Sequence, residues 1–217
     1  MSVVKRKRAY NSVGRLEQAR RSRELVVDVA RRAFLEGGYA ATTVVAIAGE
    51  AGVSTETIYK TFGGKAGLVR AIHQKGLAGA GPTPAPQRSD AMSAREADPR
   101  AILREWGRLT AEVSPLVSPI LLVARAAAAV DADVAVLLKE SDDSRLTRMR
   151  HNARVLAKRG FLREGVSVER AAEMMWVHTS PELYELLVIR RGWTATQFGD
   201  FVTTSMIGAL LEAPRAP

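Results

Sequence analysis

The chain contains no cysteine. Disulfides and thiolate metal sites are thereby excluded, and the composition fits a reducing cytoplasm. It also lacks any unbroken apolar run near the about 18 residues of a membrane-crossing helix, so no membrane span is expected. The basic opening MSVVKRKRAYNSVGRL has no apolar h-region, so a secretory signal is not expected. Sustained two-residue alternation with turn pairs is missing, which argues against strands. So are a glycine-rich phosphate loop, a His-Glu-x-x-His pair and a Gly-x-Ser-x-Gly elbow. The expectation is a chain that is not an enzyme, with no catalytic residue, metal ligand or cofactor. His178, Glu182 and Glu185 stand at helix-like spacing, but a Thr-Ser-Pro break at residues 179–181 makes a solvated helix start the simpler reading than a metal site. No internal repeat is visible.

What remains is a chain of 217 residues, 47% hydrophobic, able to bury a core as one compact domain or as a small domain joined to a larger one. Its net charge of +9 is unevenly spread. Residues 1–79 hold 14 Lys+Arg against 6 Asp+Glu, whereas the rest hold 18 against 17. A basic head on a nearly neutral body suits a polyanion partner. The plainer alternative is a solubilising tail, because KRKR at residues 5–8 supplies half of the surplus.

Helical periodicity runs nearly throughout, which gives an all-α fold. A first helix is expected from about Gln18 to Glu36, with Val26, Val29, Ala30, Ala33 and Phe34 as its apolar stripe, ended by Gly-Gly-Tyr at residues 37–39. Thr42 or Thr43 can cap a short second helix, Gly52 breaks it, and Ser54 can cap a third. A fourth follows to about Leu77. The segment 80–98 is rich in Gly, Pro and Ala and reads as a linker or mobile loop. Asp98-Pro99 opens a fifth helix, Pro115 and Pro119 mark another start, Asp131 or Asp133 opens a long helix to about Arg159, and Ser167 opens the next. Thr179 with Glu182, and Thr194 with Gln197, have capping-box spacing. The expected organisation is a flexible basic tail (1–17), a three-helix head (18–79), a linker (80–98) and a helical body (99–217).

The stretch GVSTETIYKTFGGK, residues 52–65, carries the functional signal. Two short helices joined by a glycine turn and packed on a third make a helix-turn-helix unit, whose second helix enters the DNA major groove. Small hydroxylic residues at that helix's N-terminus permit close approach, and their hydroxyls and free N–H groups can meet phosphates or bases. Ile58 and Phe62 would pack inward, and Tyr59 would point sideways with its hydroxyl toward a phosphate. Lys65, at the start of the fourth helix, adds its charge to the helix dipole, an arrangement that suits an anion.

The run AFLEGGYAATTVVAIAGEAGVSTETIYKTFGGKAGLVRAI resembles the DNA-binding domain of the tetracycline-repressor (TetR) family of transcriptional regulators. HTSPELYELLVIRRGWTATQFGDFV resembles the regulatory domain of one large subgroup. The resemblance implies a homodimer with an N-terminal DNA-binding domain and a helical ligand-binding domain, usually a repressor released by a small molecule. Carried onto this sequence, it implies that Thr43 contacts phosphate and that Ser54, Thr55, Glu56 and Thr57 face the groove. Tyr59 and Lys65 would hold the backbone, and Lys60 could do either. Ser54 can equally be a plain helix cap. Glu56 departs from the pattern, since many members have glycine or proline there; a carboxylate repels phosphate but can accept from cytosine N4. The basic tail could enter the minor groove or add only sequence-independent attraction.

The body should then bind a second copy and an effector. The resemblance places Met174, Val177, Phe201, Ser205, Gly208 and Ala209 at a helical dimer interface, where the small residues would let another helix approach, with an internal core helix as the alternative. Such a dimer would read a palindromic operator with its recognition helices about 34–36 Å apart. An effector of unknown identity, lodged among the helices of the body, would act through its differential affinity for two states. Trp106, Leu122, Arg125, Met149, Met175 and His178 are candidate lining residues. Arg125, in an apolar run, needs a partner, either an acidic side chain or an anionic ligand. Two other classes stay open: a constitutive regulator without effector, and a helical carrier or enzyme with an incidental basic head.

Overall fold

The computed structural model describes residues 3–212, with side chains from Gly14 onward. Residues 1 and 2 and the side chains of the KRKR run lie outside the described residues, and with them any groove contact of the tail. The described residues form α-helices and one π-helical turn, with no strand among them. They divide into two compact units, Met1–Ile72 and His73–Pro217. That division falls inside the fourth helix rather than in the Gly/Pro-rich stretch after it.

In the first unit, α1 (Val3–Ala41) begins well before the expected start near Gln18, inside the segment read as a tail. Charge pairs support its exposed part near the expected start: Arg20 bridges Glu17 and Glu24, and Arg21 also reaches Glu17. The apolar stripe appears further on, with Val26, Val29, Ala30 and Phe34 buried. Helical geometry is interrupted at Gly38, whose φ of 75° is open to glycine but strained for other residues. This lets Tyr39 turn back to stack on Phe34 with ring centroids 5.5 Å apart. The buried Thr42 hydroxyl secures the turn, lying 2.7 Å from the Gly38 carbonyl and 3.1 Å from that of Ala33.

Thr43, not Thr42, caps α2 (Val44–Ala51) by accepting from the Ala46 N–H. Gly52, at φ 66° and ψ 32°, ends it in the left-handed conformation and turns the chain into α3 (Thr55–Phe62). α4 (Lys65–Ala78) follows. Ile47, Ala48, Ile58, Leu68, Val69 and Ile72 complete the core of this unit. Gly67 sets the join between α3 and α4. A Cβ there would stand 1.5 Å from the Phe62 carbonyl oxygen, so no larger residue fits without moving the backbone.

The second unit holds α5 (Ala85–Arg95), α6 (Pro99–Ala127), α7 (Ala132–Lys158), α8 (Val168–His178), α9 (Pro181–Tyr184) with a π-helical turn at Glu185–Arg190, and α10 (Ala195–Leu210). Three expectations are corrected. The linker 80–98 contains α5, whose buried stripe is Ala85, Ser89 and Ser93, too small and polar to register as amphipathic. Polar ties hold it. Trp106 Nε1 donates to Ser93 Oγ, Arg148 donates to both Asp90 carboxylate oxygens, and Arg88 pairs with Glu112. Second, α6 passes unbroken through Pro115 and Pro119. An internal proline costs about 3 kcal/mol or more, but burial of the apolar residues Val117, Ile120 and Leu121 on the same helix works against that cost. Third, Ser180 rather than Thr179 caps α9; the Thr179 hydroxyl donates back to the Met175 carbonyl. The caps at Asp98, Asp131 and Ser167 and the Thr194/Gln197 box form as expected.

α6 is the one described helix long and apolar enough to cross a membrane by length and composition. Its apolar side meets α5, α7, α9 and α10, as in a core helix. It approaches α10 closely because Gly107 and Gly199 face each other: a Cβ on either would lie 2.6 Å from the other's carbonyl oxygen.

Candidate nucleic-acid interface and interior cavity

The core fixes which side of α3 faces out. Ile58 is fully buried, and Phe62 is half-buried with the Arg23 guanidinium 4.7 Å from its ring centroid. The same helix therefore turns Glu56, Thr57, Tyr59, Lys60 and Thr61 to the exterior, with Thr55 half-buried. Ser54 Oγ accepts from the Thr57 N–H at 3.1 Å and lies 2.8 Å from Thr57 Oγ1. It is a helix cap whose exposure still leaves it on the outer edge. Tyr59 is 58% exposed, and its hydroxyl has no partner among the described residues. Its ring passes Gly64, where a Cβ would come within 3.4 Å. Lys60 is exposed and unpaired among the described residues. Thr43 is exposed at the start of α2 while its side chain caps that helix.

Lys65 differs from its expected setting. Its ammonium donates to the Tyr39 carbonyl at 2.5 Å and stands 4.1 Å from the Tyr39 ring centroid. The half-buried side chain ties the end of α1 to the start of α4. An ammonium has three donors, so an outward-facing N–H can still meet an anion. Chemically, this surface offers hydroxyls, one unpaired cation, a phenol and one carboxylate around a helix N-terminus.

The second unit encloses a cavity of about 280 Å³ between α5, α6, α7 and the end of α8. Trp106, Met149 and Met175 line it, as expected. Leu122, Arg125 and His178 do not. Leu122 is rotated off the wall by one residue, and Leu121 takes that place. Arg125 is exposed and paired with Glu182, so its partner is an acidic side chain. His178 Nδ1 lies 2.6 Å from the Met174 carbonyl oxygen, and its ring sits 6.2 Å from that of Phe201 on the far side of α8. Glu182 is held by Arg125 and Glu185 by Arg190, so these carboxylates do not converge with His178.

Sequence reasoning missed the polar part of the wall: Ser114 and Ser118 on α6, and Arg145, Arg148 and Asn152 on α7. The signal was present in the spacing. Arg145, Arg148, Met149 and Asn152 recur at helical intervals on one face, and polar residues on a buried face need partners. Arg148 is engaged with Asp90, Ser89 and the Pro86 carbonyl through Nη1 and Nη2. It also holds the Asp90 carboxyl below its ordinary range. Burial pushes the Arg145 guanidinium below its ordinary value, opposed by its bond to Asp142.

The residues named for dimerisation sit on one partly covered face of α8 and α10. Val177 is 50% exposed, Gly208 opens on empty space, and Met174, Phe201, Ser205 and Ala209 are half-buried. Inside the chain, α10 makes its close approach to α6 at Gly199.

Residues 26–72 match the family model for bacterial regulatory proteins of the tetR family. No curated protein matches the chain. Among solved structures, SmeT in its complex with triclosan is similar at a TM-score of 0.67 and 22% identity, over 90% of this chain and 96% of that one. NalD, the secondary repressor of the MexAB-OprM multidrug efflux pump in Pseudomonas aeruginosa, gives 0.67 and 17%, over 90% and 100%. The ketosteroid transcriptional regulator KstR2 of Mycobacterium tuberculosis gives 0.57 and 19%, over 89% and 96%. At these identities the likeness to solved structures concerns the fold, and residues 26–72 form a segment of the bacterial tetR regulatory-protein type.

Proposed function

We propose that the protein is a cytoplasmic homodimeric repressor that binds a palindromic duplex operator and is released by a small-molecule effector. The observation that carries the DNA-binding part is the outer side of α3, where Glu56, Thr57, Tyr59 and Lys60 are exposed around a capped helix N-terminus. Thr55 and Thr57 would meet base edges, Tyr59 and Lys60 the phosphates, and Thr43 and Lys65 flanking phosphates through the donors left to them. Glu56 would accept from a cytosine amino group. Cytoplasmic location follows from the need to reach chromosomal DNA.

Support for two copies comes from the partly covered face of Met174, Val177, Phe201, Ser205, Gly208 and Ala209. Support for an effector comes from the cavity, which a constitutive regulator with a filled core would lack. The triclosan complex of SmeT and the repressor role of NalD fit the same reading. The test is selection of bound duplexes from a random pool, with sedimentation to give the oligomeric state. Enrichment of an inverted repeat bound by a dimer is expected. Recovery of no consensus, or of a consensus bound by a monomer, would contradict it.

A further inference from the structure

The cavity wall is unevenly charged. Its ionisable side chains are Arg145, Arg148 and His73, and no carboxylate lines it. Of the acids that pair with the two arginines, Asp90 lines neither hollow, and Asp142 lines the adjoining outer depression rather than the cavity. A cation placed inside would meet guanidinium groups and no counter-charge. Arg148 is tied to α5 through Nη1 and Nη2, four contacts in all. Arg145 makes only two such contacts, to Asp142 and to the Trp176 carbonyl, and further N–H groups of the fork remain.

Arg145 also stands at a junction. Leu121, Ser141, Arg145 and Pro181 border both the cavity and an adjoining outer depression of about 410 Å³. The guanidinium lies 4.6 Å from the Trp176 ring centroid, and the Trp176 indole N–H is buried without an acceptor. Two under-used donors thus lie together at the boundary. Deeper in, Asn152, Ser114 and Ser118 are 6%, 7% and 3% exposed, and their side chains make no hydrogen bond among the described residues. Native interiors seldom leave such groups unmatched. Asn152 follows Arg145 by seven residues on the same helix, about 10 Å along its axis.

We infer that the cavity binds a short apolar acid, its carboxylate on Arg145 and a second hydrogen-bonding group about 10 Å away at Asn152. The apolar middle lies among Trp106, Val117, Met149 and Met175. Pockets for drug-sized ligands run about 300–1,000 Å³, so a cavity of about 280 Å³ holds a small one. This inference rests on the effector reading and adds the ligand's chemical class.

The test uses matched probes on the intact protein: octanoate, octanamide, octylamine and 8-hydroxyoctanoate, with dissociation constants from calorimetry. Octanoate should bind on the order of tenfold tighter than octanamide, and octylamine most weakly. The 8-hydroxyl should tighten binding several-fold further, a gain that Asn152→Leu removes. Arg145→Gln should abolish the preference for acid over amide while octanamide binds as before. The wild-type ranking stands without any variant. An amine or amide that binds as tightly as the acid overturns the inference, as does the absence of saturable binding by all four probes. The acid ranking without any release of operator DNA would keep the ligand class and remove the effector reading; release driven by the amine would do the reverse.

Discussion

α3 and α5 are short helices that achieve opposite ends. α3 buries one large side chain, Ile58, and leaves its polar side open. α5 buries only small residues and commits its polar side chains to the protein: Ser89 and Asp90 to Arg148, Ser93 to Trp106, and Arg88 to Glu112. Polar groups left unmatched on a surface point to an external partner, whereas polar groups matched internally hold a wall in place. On the proposed function, the one helix would meet a ligand as large as DNA, and the other would close a cavity for a small one.

The largest expected effect breaks the anchored side of α3. Ile58→Ala should cost about 2–5 kcal/mol of stability, as core truncations do, read from urea denaturation. A cost near zero would mean that the helix is not seated as described. Next comes specificity. Thr55→Ala should change which bases are preferred, by about 1–3 kcal/mol at the affected position, measured by repeating the duplex selection. An unchanged consensus would remove Thr55 from the groove.

Smaller and uniform effects are expected at the backbone-facing residues. Tyr59→Phe and Lys65→Ala should each weaken binding to all sequences about equally. Lys60→Ala should lower the slope of log K against log salt by about 0.9 if it meets one phosphate. Sequence-dependent losses in these variants would reassign them to base readout.

The smallest effect concerns α5 and pH. Arg148 holds the Asp90 carboxyl below its ordinary value, and Arg88 does the same for Glu112. A depressed folded-state value contributes stability that is present above the unfolded-state value of about 4. That contribution is lost as pH falls through the lowered folded-state values. Acidification below about pH 4 should therefore loosen α5. The change can be followed by Trp106 emission in a variant with Trp176 and Trp193 replaced by Phe. A signal flat through that range would show that the ion pairs do not secure the helix.

The same contrast explains what could be read from sequence. The head was legible residue by residue, because helix caps are local. Thr43, Ser54, Gly52 and the apolar spacing of Val44, Ile47 and Ala48 each act within one turn of where they stand. In the body, Asp98, Asp131, Ser167 and Thr194 were legible for the same reason. The cavity was not, because its wall is a tertiary product. Leu121 rather than Leu122 reaches it through a rotation of about 100° per residue about the α6 axis. Arg125 is drawn outward by Glu182, distant in sequence. The small buried stripe of α5 carries almost no hydropathy signal, and its ties to Trp106 and Arg148 depend on helices that follow it. The tie from Lys65 to the Tyr39 carbonyl is likewise invisible to spacing.

The central claim is that the open side of α3 reads duplex DNA. Its most direct measurement is fluorescence anisotropy of a selected duplex against a scrambled duplex of equal length, titrated across salt concentration. The account predicts a preference on the order of a thousandfold or more for the selected duplex, with affinity falling steeply as salt rises. Equal weak binding to both duplexes at every salt concentration would contradict it.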